Sequence, residues 1–192
     1  VFVSAFFGIT LGSIAGYFGG WIDNIMMRLL DVIQAIPGML LTIAIAAVLG
    51  AGFFNTILAL SIGSIAGGAR LMRASILEIR NMEYMESAEA INCSKFRIIL
   101  KHTIPNAFSP QIVAMTMGIA STIVSAAGLS FVGLGVQPPN PEWGAMLSGG
   151  RGYIMQYPHL VIFPGLAIMI TVLALNLLGD GLRDAMDPRL KD

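Results

Sequence analysis

Charged positions along the chain are clustered, and the clusters leave four uncharged runs: residues 1–22, 32–69, 103–141 and 152–179. Crossing about 30 Å of hydrocarbon takes roughly 20 apolar residues, so the two long runs exceed one crossing. The run 32–69 is divided by Gly50-Ala51-Gly52-Phe53-Phe54-Asn55, a turn-forming stretch between apolar segments. The run 103–141 reads as one span followed by an extended loop. Its Gln137-Pro138-Pro139-Asn140-Pro141 cannot continue a helix whose backbone must pair with itself in lipid. The pattern predicts five helical spans, over about 1–18, 30–49, 54–71, 107–127 and 159–179.

Composition agrees with this pattern. Hydrophobic residues make up 56% of the 192 and charged residues 11%, against about 25% charged in a soluble domain. Eleven Lys and Arg balance eleven Asp and Glu, so no net field steers a polyanion and a nucleic-acid surface is excluded. A single cysteine, Cys93, excludes a disulfide framework and a cysteine zinc cage. The fold class expected is an all-α integral membrane protein, one domain over 1–192.

Orientation follows from the basic residues, since short loops rich in Lys and Arg stay cytoplasmic. Five alternating spans put Arg28, Arg70, Arg73, Arg80, Lys95, Arg97, Lys101, Arg183, Arg189 and Lys191 on one side and Arg151 alone on the other. Segment 72–106 is then a cytoplasmic loop and 128–158 an outer loop, with the N-terminus outside. Val1 opens within an apolar run without a starting Met, which suggests a preceding span and a fragment of a larger subunit. A signal-peptide reading of 1–18 lacks a basic leader and a convincing cleavage site.

The loop 72–106 is the charge-dense part of the chain and reads as a helical hairpin. Asn81 is a candidate cap for Met82–Ile91, which places Glu83, Glu86 and Glu89 beside Met82, Met85, Ala88 and Ile91 at helical spacing. Asn92 suits the left-handed turn that ends a helix, and Ser94 can cap a second, basic helix over Lys95–Thr103 that stops at Pro105. A connector lying among headgroups should be basic, yet the first helix is acidic. Its small residues Ser87, Ala88 and Ala90, flanked by carboxylates, suit a groove on a protein partner, with Glu86 meeting a cation there.

Glu86-Ser87-Ala88, then Asn92, then Ile104-Pro105-Asn106 resembles the EAA loop of ABC importer permeases, with Ser87 in place of the first Ala, Asn92 in place of Gly and Thr103-Ile104-Pro105 for the usual end. The likeness continues through Gly16-Tyr17-Phe18-Gly19-Gly20-Trp21-Ile22-Asp23 and Arg28, Asp31 and Pro37. It also takes in Leu129 to Pro139, Glu142-Trp143-Gly144, Leu178 to Asp184 and Asp187-Pro188-Arg189. These motifs are similar to the second permease subunit of oligopeptide and dipeptide importers, a family that also contains nickel permeases. The resemblance implies a type I ABC importer transmembrane domain with five of an expected six spans. It also implies a bacterial inner-membrane location and a passage shared with a second permease subunit. Two ATPase subunits would carry ATP and Mg, an extracytoplasmic binding protein would deliver di- or oligopeptide cargo, and this chain would bind no cofactor. It further implies an ATPase-coupling loop of Met82, Met85, Glu86, Ser87, Ala88, Ala90, Asn92 and Pro105. In that loop Glu86 makes the charged contact, and Met82, Met85 and Ala88 pack.

Other chemistries fare worse. No phosphate-binding loop surrounds Lys95, Lys101 or Lys191. Ser130 and His159 share the outer side, but Phe131 stands where an intramembrane serine protease would have Gly, and His102 reads as a cation at a helix C-terminus. A secondary transporter or channel could use Pro37 and Pro164 as helix breaks, yet such proteins usually keep an ionisable group inside a span; here Asp31 and Asp180 sit at its margins. Ser61, Ser64, Thr116, Ser121, Thr122, Ser125 and Asn176 are candidate pore residues that serve helix packing equally well, so none is assigned. Trp143, Tyr153 and Tyr157 in the outer loop suit a binding-protein contact or an aromatic belt.

Overall fold

A computed structural model describes residues 1–186, so Asp187-Pro188-Arg189 and Lys191 lie outside the described residues. The helices run α1 (Phe2–Phe18), α2 (Gly20–Gln34), α3 (Gly38–Leu49), α4 (Phe53–Ile79), α5 (Glu83–Ala90) and α6 (Lys95–Ile98). After a π-helical turn over Ile99–Thr103 come α7 (Ile104–Ala107), α8 (Ser109–Phe131), α9 (Trp143–Gly150) and α10 (His159–Met186). Among the described residues α4, α8 and α10 are each long and apolar enough to cross a membrane, whereas α1 is shorter.

Three expectations change here. The single helix over 30–49 is two, α2 and α3, because Pro37 has no N–H to donate and holds Ile36 out of helical geometry. Helix α4 has 27 residues, which at 1.5 Å each is about 40 Å, so it extends past its expected end at 71 and carries Arg73, Ser75 and Glu78. The segment 128–158, expected as an outer loop, holds α9: Glu142 caps it by accepting from the Ala145 N–H at 2.7 Å.

The chain divides into two compact units. One comprises 36–63 and 116–181. Ala46, Ala59 and Leu129 form its buried cluster, with Ile43, Ile45 and Leu134 against it. The 50–55 turn closes as expected: Asn55 Nδ2 donates to the carbonyls of Leu49 at 2.7 Å and Gly50 at 3.1 Å, satisfying the end of α3. Helix α9 lies so near α8 that a Cβ at Gly144 would stand 2.1 Å from the Ala127 oxygen.

The other unit comprises 2–35 and 64–115, with 182–186 of its C-terminal part described. Helix α1 meets α4 along Gly8, Gly12 and Gly16, one per turn; a Cβ at Gly12 would stand 2.3 Å from the Ala69 oxygen and 2.8 Å from Met72 Cβ. Small residues at this spacing bring two helix backbones together where lipid gives little hydrophobic drive. Helix α2 is fastened to α4 by two ion pairs. Arg73 grips Asp23 with two hydrogen bonds of 2.5 Å, and Arg70 binds Asp31. Leu30, Ala66 and Ala69 are buried beside them, and Gln111 Nε2 donates to the Gly68 carbonyl at 2.8 Å.

Candidate functional site: the helical hairpin

The hairpin is built on the polar end of α4. Helix α5 begins at Glu83, one residue after the expected start, because the Met82 carbonyl already accepts from Glu86 N–H. Asn92 takes a left-handed conformation with φ +57°, as its place between the helices requires. The Cys93 N–H reaches back to the Ala88 carbonyl at 3.1 Å, and the Ser94 side chain caps α6 by accepting from Arg97 N–H.

Pro105 does not stop the second helix as expected. Its ring excludes the ordinary bond to the carbonyl four residues back, and the chain answers with a wider π turn. Ile104 N–H bonds to the Ile99 carbonyl, five residues back, and the buried Thr103 hydroxyl donates to Ile98 at 3.2 Å. Helix α7 then restarts with Pro105 in its first turn. Asn106 joins the limbs, its side-chain amide donating to the His102 carbonyl at 2.7 Å and to Tyr84 Oη at 3.4 Å.

Burial sorts the candidate residues into two sets. Met85 and Ala88 are buried in a cluster with Tyr17, Met72, Ile76, Ile79, Ile98 and Ala107, so they pack within the chain. Met82, Glu86, Ser87 and Ala90 are exposed, as are Asn92 and Pro105. The exposed surface of the first limb therefore consists of Met82, Glu86, Ser87 and Ala90, joined by Ile91, whose exposure sequence reasoning passed over. Ser87 Oγ is engaged by the Glu83 carbonyl at 2.9 Å, whereas Glu86 makes no ion pair among the described residues. At the hairpin tip Ile91, Asn92, Cys93, Ser94, Arg97 and His102 line an open cavity of about 560 Å³. The hairpin thus presents an acidic first limb and a basic second one, held from behind by the buried Met85, Ala88 and Ile98.

The remaining candidates lie elsewhere. Ser130 is buried, its Oγ accepting from Val136 N–H at 3.1 Å, which makes it a loop-closing residue. Arg151 lies over the Phe131 ring at 5.6 Å. Ser121, Thr122 and Ser125 donate to carbonyls of their own helix; Ser61 is buried and Asn176 exposed. Trp143, Tyr153 and Tyr157 are exposed in the segment between α8 and α10. Asp23 with Arg73 and Asp31 with Arg70 are pairs that the sequence did not reveal, since 50 and 39 residues separate their members.

Comparison with known proteins agrees with this architecture. Residues 8–192 match the family described as binding-protein-dependent transport system inner membrane component. The chain is 49% identical over 191 residues to a glutathione transport system permease protein, GsiD, of Pectobacterium atrosepticum and 51% identical to that of Escherichia coli. These alignments cover all of this chain and 64% and 63% of those proteins, so it spans just under two thirds of their length. A solved structure of the MetNI methionine ABC transporter contains a chain that superposes with a TM-score of 0.69 at 20% identity, covering 97% of this chain and 90% of that one. At that identity the likeness is one of fold, the type I ABC importer permease fold. The chain belongs to the binding-protein-dependent transport system inner membrane components, and is a multi-pass protein of the inner membrane.

Proposed function

We propose that the chain is the permease subunit of an ATP-driven importer of di- or oligopeptides, glutathione among them, and that the hairpin couples it to ATP hydrolysis. The observation that carries this reading is the exposed Glu86, which makes no ion pair among the described residues, on a helix whose opposite face is locked onto α4 by Met85 and Ala88. Two ATPase subunits, a second permease and an extracytoplasmic binding protein complete the assembly, and ATP with Mg belongs to the ATPases. Glu86 makes the charged contact; Met82, Ser87 and Ala90 surround it, while Asn92 and Pro105 fix the hairpin's turns. The names of the relatives favour a peptide-like cargo over nickel.

Glu86→Lys tests the assignment. Membrane insertion should be intact, while uptake and cargo-stimulated ATP hydrolysis are lost, because a reversed charge opposes docking. Coupled hydrolysis at the wild-type rate in this variant would refute the role given to Glu86.

A further inference from the structure

Helix α2 has three faces where a helix in a two-part environment needs two. Its inner face carries Asp23 and Leu30, both buried, with Met27 and Ile33 packed toward Ala66 and Ala69. Its outer half is divided again. At 3.6 residues per turn, Trp21, Ile25, Leu29 and Val32 fall within an arc of about 80°. They are exposed by 72%, 49%, 63% and 70%. Asn24, Arg28 and Asp31, also exposed, fill the adjoining arc of about 60°.

The charges are distributed to match. Both carboxylates of α2 are neutralised by α4, Asp23 by Arg73 and Asp31 by Arg70. Arg28 makes no ion pair among the described residues, so the exposed edge beside the apolar strip is cationic. A helix immersed in hydrocarbon has no use for a polar edge, and one covered by protein has no use for a strip bordered by a solvated cation. A helix at a membrane surface needs three regions: protein behind, acyl chains beneath and headgroups beside it. A tryptophan at its first turn suits the same depth.

We propose that α2 lies in the headgroup layer of the membrane, on the side where the basic residues gather. Trp21, Ile25, Leu29 and Val32 dip into the acyl boundary there, and Arg28 holds an anionic lipid headgroup. Anionic lipid gives the cytoplasmic leaflet a negative surface potential, which is the complementary charge. The surface is separate from the hairpin, and the inference stands whether or not Glu86 docks an ATPase.

Spin labelling of the full-length protein in its native assembly, in nanodiscs containing phosphatidylglycerol and with Cys93→Ser as background, tests it. Nitroxides at Ile25→Cys and Val32→Cys should be reached by oxygen and lie about 5–10 Å below the phosphates. Those at Asn24→Cys and Arg28→Cys should be reached by an aqueous nickel chelate. Protection of the Ile25 and Val32 positions from both reagents would mean a protein cover, and acyl depth for all four would mean an ordinary span; either result overturns the proposal. Replacing phosphatidylglycerol by phosphatidylcholine should make the Ile25 label shallower when Arg28 is present and leave it unmoved in Arg28→Gln. Equal responses in the two proteins would overturn the headgroup site.

Discussion

Gly12→Ala adds one methyl group where α1 and α4 approach most closely, and its cost can be worked from the contacts. The new Cβ would stand 2.3 Å from the Ala69 oxygen and 2.8 Å from Met72 Cβ, against the 3.4 Å at which ordinary contact begins. The shortfall of about 1 Å is against backbone, which no rotamer change relieves. The helices must separate, and separation at Gly12 also loosens Gly8 and Gly16, whose nearest neighbours stand 3.1 and 3.0 Å from a Cβ. Overpacking of this kind costs about 1–3 kcal/mol, while alanine returns up to ~1 kcal/mol of helix propensity. The expected net loss is therefore about 0–2 kcal/mol. Gly8→Ala and Gly16→Ala, with shortfalls of a few tenths of an ångström, should come out near zero. Gly67→Ala, on α4 with nothing within 4 Å, should be neutral or gain up to ~1 kcal/mol. Unfolding of the full-length protein in mixed detergent micelles ranks the four variants. Equal stability of Gly12→Ala and Gly67→Ala would refute the close-packing account.

Three further outcomes follow from the contacts. Asp23→Asn removes the buried carboxylate that the partly exposed Arg73 grips and should cost up to about 3 kcal/mol, whereas Asp31→Asn breaks a pair exposed to solvent and should cost under ~1 kcal/mol. The same micelle titration compares them, and equal losses would show that burial is not what separates the pairs. Met85→Ala empties part of the cluster behind α5 and should destabilise by about 2–5 kcal/mol, against about 0.5 kcal/mol or less for Glu86→Lys on the surface; a reversed order would mean that α5 is not held from behind. Ser130→Ala leaves the Val136 N–H without its acceptor and should speed hydrogen exchange at that amide by at least about tenfold, equivalent to about 1.4 kcal/mol. Unchanged protection there would remove Ser130 from the loop closure.

What the sequence disclosed and what it hid differ in physical kind. Asn92 and Ser94 were legible because a left-handed turn and a helix cap are decided by one or two residues acting locally. The glycine seam was legible in principle, as a four-residue spacing in Gly8, Gly12 and Gly16, but the apolar run read only as a span. Pro37 marks where α3 begins and leaves the preceding helix to end at Gln34, a consequence that counting apolar residues overlooks. Pro105 shows the opposite limit: the chain accommodates it with a π turn, because Thr103 and the buried cluster hold both sides of the break. The ion pairs of Asp23 and Asp31 with α4 depend on helix pairing, which no spacing within a single helix encodes.

The division of the hairpin into buried and exposed residues decides what a docked partner would act upon. Met85 and Ala88 from α5, Ile98 from α6 and Ala107 from α7 share one cluster with Met72, Ile76 and Ile79 of α4. Close-packed interiors transmit displacement, since a gap of even half an ångström forfeits contact energy along its whole lining. A force applied to Glu86 would therefore move the lower part of α4. With it would go α1, which meets α4 through the glycine seam, and α2, which the two arginines hold. Were Met85 and Ala88 the docking residues, the partner would have to pull α5 off its own support before moving anything. Because they face inward, a partner can grip the exposed carboxylate limb without paying to unpack the hairpin, and what it grips is already joined to the membrane helices.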